Sequence, residues 1–527
     1  MRSSPARSFP KRISRGHSYR SASAASSASW ADYLGRVRPA DIALGLTAAG
    51  CIGSLIFLGW VHFDDLFNIR GIEAVRTVQA KYMNLGHVFP PLREGDFYGA
   101  TRYMPLPVAM HAAVAHLTGD YLVAGKILAA SIGALLLAVT FGLISQAGLP
   151  RIHAFGLAAC IAITDVAIAS FTGLAADAVP LLLQLIALTL IANRRNEMHV
   201  GIAGLFCAFA LLAKVAAIWG GLTIVVWLFL YERRLLRTFL PAWIGGAALG
   251  FLAIDLTSGG SLIDTMKPLL FSGTQLDPQH LFVGLLRIFY SLDGHAMPLL
   301  ILLPLALAFK PRDERSSIYW IGLVVALLLL LAMMTERSSA ENHVIDVIVL
   351  SVVTLGIAMG HVFTRDRARE KRSDLRTAFS VVLVFALGFG WLMGPRLTVL
   401  SSIESVERGT PVAGLDRVPL KGEVSSADWV LAENPYVPFA RGQRPVVLDP
   451  FLFQRMSRVR PEWAHDLSER VRAREFTKLV MSNDLSDTFW YTNYHFGSEV
   501  LDAMRDSYQL AQVTDGYFIY EPRAGNG

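Results

Sequence analysis

About eleven apolar runs, most of them near the length that crosses a lipid bilayer, leave this chain few architectures to choose from. They fall near residues 42–61, 121–146, 151–170, 176–192, 200–213, 215–231, 239–256, 295–309, 317–334, 344–363 and 377–394. Inside a bilayer each backbone amide needs a partner within its own segment, so such runs read as helices. Composition agrees: 53% of the residues are hydrophobic and 17% charged, where soluble proteins carry about a quarter charged. The run from Gly201 to Tyr231 is too long for one span, and Lys214 near its middle marks the expected turn between two.

The basic clusters orient these spans. Arg2 to Arg38, Asn193-Arg194-Arg195, Arg233 to Arg237, Lys310 to Arg315 and Arg365 to Arg376 all fall on one side if the runs alternate, and that side is expected to be cytoplasmic. The net charge of +6 is used up in these clusters, so no basic face is left for nucleic acid, and none is expected to bind. Residues 1–40 are rich in Ser, Ala and Arg without an apolar stretch, which predicts a disordered basic cytoplasmic tail rather than a cleaved signal. Cys51, Cys160 and Cys207 lie inside apolar runs, so no disulfide framework is expected.

The expected fold is mainly α: a polytopic bundle of about eleven spans over 41–394, with a small extracytoplasmic α/β domain over 395–527. The first outer loop, 62–120, is expected to be ordered, to carry Phe97, Tyr98 and Tyr103, and to hold an interfacial helix from Leu106 to Leu117. In the C-terminal segment Pro445–Leu448, Lys478–Ser482 and Tyr517–Glu521 read as strands. Ser426–Ala432, Leu467–Arg474 and Ser498–Arg505 read as amphipathic helices.

Four segments on the outer side concentrate chemistry. Asp64-Asp65 follow the first span in an aromatic setting, where partial desolvation would favour a general base, although Asp also caps helix ends. Arg102, beside Tyr103 and ahead of Pro105, suits a phosphate clamp. The stretch Thr335 to His343 packs Arg337, Glu341, Asn342 and His343 against the start of a span; Arg337 and His343 could hold a phosphate, with Glu341 and Asn342 orienting them. Lys214 between two half-runs faces a polar cavity or the outer interface, and Asp177 is a weaker candidate of the same kind. His111 and His116 have no zinc spacing, and no metal is assigned.

Together these segments resemble the GT-C-type membrane glycosyltransferases that use polyprenyl-phosphate sugars, such as the bacterial aminoarabinose, mannosyl and arabinofuranosyl transferases. The resemblance rests on Asp64-Asp65 after the first span, on Arg102-Tyr103-Met104-Pro105-Leu106 with Thr118-Gly119-Asp120, on Ala210-Leu211-Leu212-Ala213-Lys214, and on Glu341-Asn342-His343-Val344-Ile345-Asp346. It covers roughly residues 42–363, and it departs from the commonest pattern in having Asp-Asp where Asp-Glu is usual. It implies an inner-membrane enzyme that moves a sugar from a polyprenyl-phosphate donor in the lipid to an extracytoplasmic glycan, lipid or protein acceptor. Asp64 or Asp65 would be the base, with Arg102, Lys214, Arg337 and His343 on the donor phosphate and Tyr103, Asp177, Glu341 and Asn342 in support. No cofactor is implied; some relatives use a divalent cation, and none is expected to be required. A lipid-linked-substrate transporter or flippase, or a non-catalytic assembly protein built on the same bundle, are the alternatives.

Overall fold

The computed structural model describes residues 38–66, 71–174, 177–271, 281–286, 296–310, 313–335, 341–365, 372–408, 424–425, 427–514 and 516–524. The N-terminal tail and Arg337 lie outside them, as does the side chain of Glu341. The membrane part is built from α1 (Pro39–Val61), α2 (Gly71–Asn84), α3 (Pro105–Thr118), α4 (Tyr121–Gln146), α5 (Arg151–Ala162), α6 (Asp165–Thr172), α7 (Ala178–Asn193), α8 (Glu197–Ala213), α9 (Trp219–Tyr231) and α10 (Arg233–Thr257). It continues with α11 (Ala296–Ala308), α12 (Ser317–Met333), α13 (Val344–Arg365) and α14 (Arg372–Met393), followed by α15 (Arg396–Arg408).

Every expected run is helical, but fewer of them than expected are long enough to cross a membrane. Among the described residues five helices meet the length and hydropathy requirement, namely α1, α4, α10, α13 and α14, or six if the bent pair α5/α6 counts as one span. The run expected over 151–170 breaks because Thr164 caps a new helix, accepting from Ala167 N–H, and the chain bends by 81° there. The apolar stretch 200–231 breaks where expected, after Ala213: Lys214 is extended, with φ −159°, and α9 starts at Trp219. The second break leaves α8 and α9 short, and α7 and α12 are also apolar helices of only 10–17 residues.

α13 is the axis of the bundle. Of its apolar window 83% is buried, against 17–33% for the other long helices, whose remaining surface faces outward as lipid contact requires. Gly356 and Gly360 allow this close packing: a Cβ at Gly360 would lie 2.6 Å from the Ala147 carbonyl oxygen, and one at Gly356 2.6 Å from Ile144.

The side-chain contacts divide the bundle into two ends. One end joins Asp41, His153 and Ser380, and Arg195 with Glu314 and His361 with Asp313. The other joins residues from segments 62–66, 174–177, 214, 342 and 402. Described residues of four of the segments expected on the outer side, 62–120, 171–175, 335–343 and 395–527, therefore share one end with Lys214.

The Thr118-Gly119-Asp120 element proves to be a helix stop and start. Gly119 ends α3 in the left-handed region with φ 74°, and Asp120 Oδ1 accepts from Leu122 and Val123 N–H at 2.7 and 3.0 Å to begin α4.

The C-terminal domain is α/β. Its sheet runs in the order β3 (Val430–Ala432), β4 (Lys478–Met481), β6 (Tyr517–Pro522), β5 (Tyr508–Thr514), with β3/β4 parallel and the other pairs antiparallel. Helices α16 (Tyr436–Phe439), α17 (Pro450–Val459), α18 (Pro461–Arg472), α19 (Thr488–Asn493) and α20 (Ser498–Ser507) accompany it, over a core that includes Leu431, Phe453, Trp463 and Leu479. Two expectations change. Val430–Ala432, expected to be helical, is a fully buried strand, where a continuous apolar run fits better than an alternating one. Pro445–Leu448 joins no sheet; it pairs instead with the first outer loop, whose hairpin β1 (Arg93–Glu94) and β2 (Phe97–Tyr98) is docked on the domain by a parallel bridge between Tyr98 and Val447.

At the carboxyl end of β3 the buried Glu433 carboxylate accepts from Trp490 Nε1 at 2.7 Å, Ser482 N–H at 2.8 Å and Tyr491 Oη at 3.1 Å, and His495 Nδ1 lies 2.5 Å away. Burial alone would raise its pKa, but these hydrogen bonds and the His495 charge outweigh it and hold the group below its ordinary 4.5. A depressed carboxylate stabilises the fold fully above its unfolded value and loses that contribution as pH falls through the folded one. Thermal melting of the full chain is therefore expected to lose midpoint below about pH 4.5. In Glu433→Gln the midpoint is expected to be lower at pH 7 and to lose much of that acid dependence.

Candidate active site

The site begins where α1 ends. Asp65 is half-buried with both oxygens engaged: Oδ2 lies 2.5 Å from His62 Nδ1, and Oδ1 lies 3.4 Å from Lys126 Nζ on α4. Lys126 also donates to the His62 carbonyl oxygen. The other His62 nitrogen, Nε2, meets Ser402 Oγ of α15 at 2.8 Å. These contacts clamp the end of the first span to α4 and α15, and Asp65 belongs to the clamp. Asp64, beside it, is exposed. The partly desolvated setting expected for the pair thus holds for Asp65 alone.

A second group surrounds Tyr103. Two guanidinium groups lie against its ring, Arg76 at 4.8 Å and Arg102 at 5.4 Å from the centroid, and Arg102 Nε donates to its hydroxyl at 3.2 Å. Arg76 comes from α2 and donates to the Leu174 carbonyl at 3.4 Å. Gln79, one turn on, donates to the Tyr103 carbonyl at 3.3 Å, while its own amide oxygen is buried without a hydrogen-bond partner. Leu174 packs on Gly125, where a Cβ would come within 2.0 Å of it, and Gly125 precedes Lys126. Arg76 therefore lies one packed layer from the Asp65 clamp.

Arg76 also lines an apolar cavity of about 30 Å³, with Val108, Gly125, Ala129, Leu174 and Val179 among its walls. Gly125, Leu128, Ala129 and Ile132 line it from α4 at the spacing of one helix face, so it runs along that helix toward the bundle interior.

The third group is a closed ion pair. Lys214 Nζ donates to Asp177 Oδ1 at 2.7 Å and Asn342 Nδ2 to Asp177 Oδ2 at 3.0 Å. Burial opposes the Asp177 charge, but Lys214 and Arg76 more than offset it and hold the carboxyl well below the usual range. His343 lines the same space, and burial, reinforced by Lys214, pushes its pKa down to about 3, so at neutral pH it brings no positive charge. The space that Asp177, Lys214, Asn342, His343 and Asp346 enclose is about 10 Å³, room for about one water and not for a phosphate.

Of the residues expected from sequence, the structure gathers Arg102 with Tyr103, and Lys214 with Asp177, Asn342 and His343. Arg76, Gln79, His62, Lys126 and Ser402 complete these groups without having been expected in them. Among the described residues no three His, Cys, Asp or Glu side chains are arranged to hold a metal ion.

No family model matches the sequence, and no curated protein matches it. Solved structures do. ArnT from Cupriavidus metallidurans bound to undecaprenyl phosphate superposes with a TM-score of 0.54 at 11% identity, over 90% of this chain and 97% of that one. Its apo state gives 0.50 at 10% identity, over 90% and 98%. An archaeal oligosaccharyltransferase, AglB from Archaeoglobus fulgidus, is matched at 0.47 and 12% identity, over 90% of this chain and 74% of that one. At such identities the likeness is one of fold: this is a multi-pass membrane protein with the GT-C-type membrane glycosyltransferase fold.

Proposed function

We propose that the protein is an inverting glycosyltransferase that takes a sugar from a polyprenyl-phosphate donor at the extracytoplasmic face of the inner membrane and passes it to an acceptor hydroxyl. The observation that carries this reading is the cavity headed by Arg76. Arg76 and Arg102 flank Tyr103, and Arg76 also lines the narrow apolar opening along α4. At about 30 Å³ that opening must widen to take an isoprenoid tail below an anionic head held by the two guanidinium groups. The fold shared with a structure bound to undecaprenyl phosphate supports the same ligand class.

Asp64 is the base. Both Asp65 oxygens are taken up in the clamp on His62 and Lys126, whereas the exposed Asp64 can reach an arriving hydroxyl. It removes the acceptor proton as the oxygen attacks the anomeric carbon from the side opposite the phosphate. The bond from that carbon to the phosphate oxygen breaks, and its electron pair leaves with the lipid phosphate. Arg76 and Arg102 hold the charge that develops there, and Tyr103 holds the two guanidinium groups together. Lys214, Asp177, Asn342 and His343 serve the frame: their pair fixes the break between α8 and α9 against the start of α13. Arg337 keeps the role on the donor phosphate, and Glu341 the supporting role, that the resemblance implies, and no metal ion is given a step.

The test is to incubate the purified full chain in nanodiscs with a panel of polyprenyl-phosphate sugars and an envelope extract, and to measure the lipid phosphate released. Release from at least one donor, dependent on acceptor, is expected. No release from any donor, with the chain folded, would count against the enzyme and for a transporter or assembly protein.

A further inference from the structure

Asp449 belongs to none of the groups above, yet it faces one of them. It lies in the C-terminal domain and is 3% exposed. Its Oδ1 caps α17, accepting from Leu452 N–H at 3.2 Å, while Oδ2 is buried without a hydrogen-bond partner. That oxygen lies 3.5 Å from Arg102 Nε, and the neighbouring Phe451 ring stands 4.0 Å from the same guanidinium. The approach is held by backbone. Tyr98 N–H donates to Val446 O at 2.8 Å and Leu448 N–H to Tyr98 O at 3.0 Å, so the pairing that docks the outer loop on the domain also sets Arg102 against Asp449.

We propose that Asp449 is a counter-charge on Arg102 that speeds release of the lipid phosphate after transfer; this rests on the reading in which Arg102 holds the donor phosphate. A buried carboxylate oxygen short of a donor is costly, so it draws the guanidinium back whenever no phosphate is present. A bound phosphate has the same sign as Asp449 and shares its cation, so the two anions compete. The competition is unequal along the reaction. The donor is a phosphodiester with one negative charge, while the product is a monoester carrying about −1.5 to −2 at neutral pH. Repulsion from Asp449 therefore falls more heavily on product than on substrate. Asp449 also helps to orient Arg102, which would favour binding, but a single 3.5 Å contact through Nε is the smaller effect beside a buried like charge. The C-terminal domain thus takes part in turnover.

Asn caps helices as well as Asp does, so Asp449→Asn removes the charge and keeps the cap. The probe is farnesyl phosphate, titrated into the full chain in nanodiscs, for wild type, Asp449→Asn, Arg102→Gln and the double variant. Asp449→Asn is expected to bind it roughly tenfold more tightly at pH 7.5, and the gain is expected to shrink below about pH 6 as the monoester loses its second charge. Arg102→Gln is expected to weaken binding, and in the double variant the gain from Asp449→Asn is expected to persist in part, because the repulsion between Asp449 and the phosphate does not run through Arg102. In turnover, Asp449→Asn is expected to lower kcat and the donor KM together. Affinity unchanged or weakened in Asp449→Asn, with Arg102→Gln still weakening it, overturns the counter-charge and leaves the site standing. Affinity unchanged in Arg102→Gln overturns both.

Discussion

Asp64→Asn is expected to slow sugar transfer by about 10²–10⁴-fold with little change in melting temperature, because an exposed side chain is replaced by one of the same shape that cannot take a proton. Asp65→Asn is expected to behave differently. Its carboxylate meets His62 and Lys126, and Lys126 is only 3% exposed, so the change leaves a buried ammonium short of its counter-charge. That variant is expected to lose stability first and activity as a consequence. Initial rates of lipid phosphate release beside thermal melting separate the two. Full activity in Asp64→Asn would remove it as the base, and an unaltered melting curve in Asp65→Asn would remove the clamp.

Lys214→Met is expected to destabilise the chain by about 3–5 kcal/mol, the range found when one member of a buried pair is removed. Asp177 is 5% exposed, and without Lys214 it would keep only Asn342 and the charge of Arg76. The pair also holds an irregular segment: Lys214 starts the break between α8 and α9, and Asn342 lies in the turn into α13, the most buried long helix. Adding Asp177→Asn to Lys214→Met is expected to recover much of the loss, since it removes the stranded charge. Melting of the detergent-solubilised single and double variants measures this. A single variant as stable as wild type contradicts the pair. A double variant less stable than the single one contradicts the stranded charge as the cause.

The same residues show how far the sequence could be read. Hydropathy placed nearly all the membrane helices, because apolar length is a local property, and alternation of the basic clusters assigned the outer segments that meet at one end of the bundle. The bend at Thr164 is not legible in the sequence because a threonine cap inside an apolar run does not alter its hydropathy. Lys214 was legible as a break, but its partner was not: Asp177 lies 37 residues away, and only packing brings the two together. Arg76 carried no signal, being one charged residue on an amphipathic helix outside every motif; its meaning comes from Tyr103 and the cavity. Val447 reads as strand and does pair as one, but with Tyr98 of a distant loop. That pairing is why the C-terminal domain and the outer loop cannot be understood apart.

The most direct test is a cryo-EM map of the full chain in nanodiscs with a bound polyprenyl phosphate. Phosphate density within hydrogen-bond reach of Arg76 and Arg102, with the chain entering the slot beside Gly125 and Ala129, is the expected result. Phosphate density at Lys214 and His343, or a prenyl chain that avoids the slot along α4, would contradict the donor site described here.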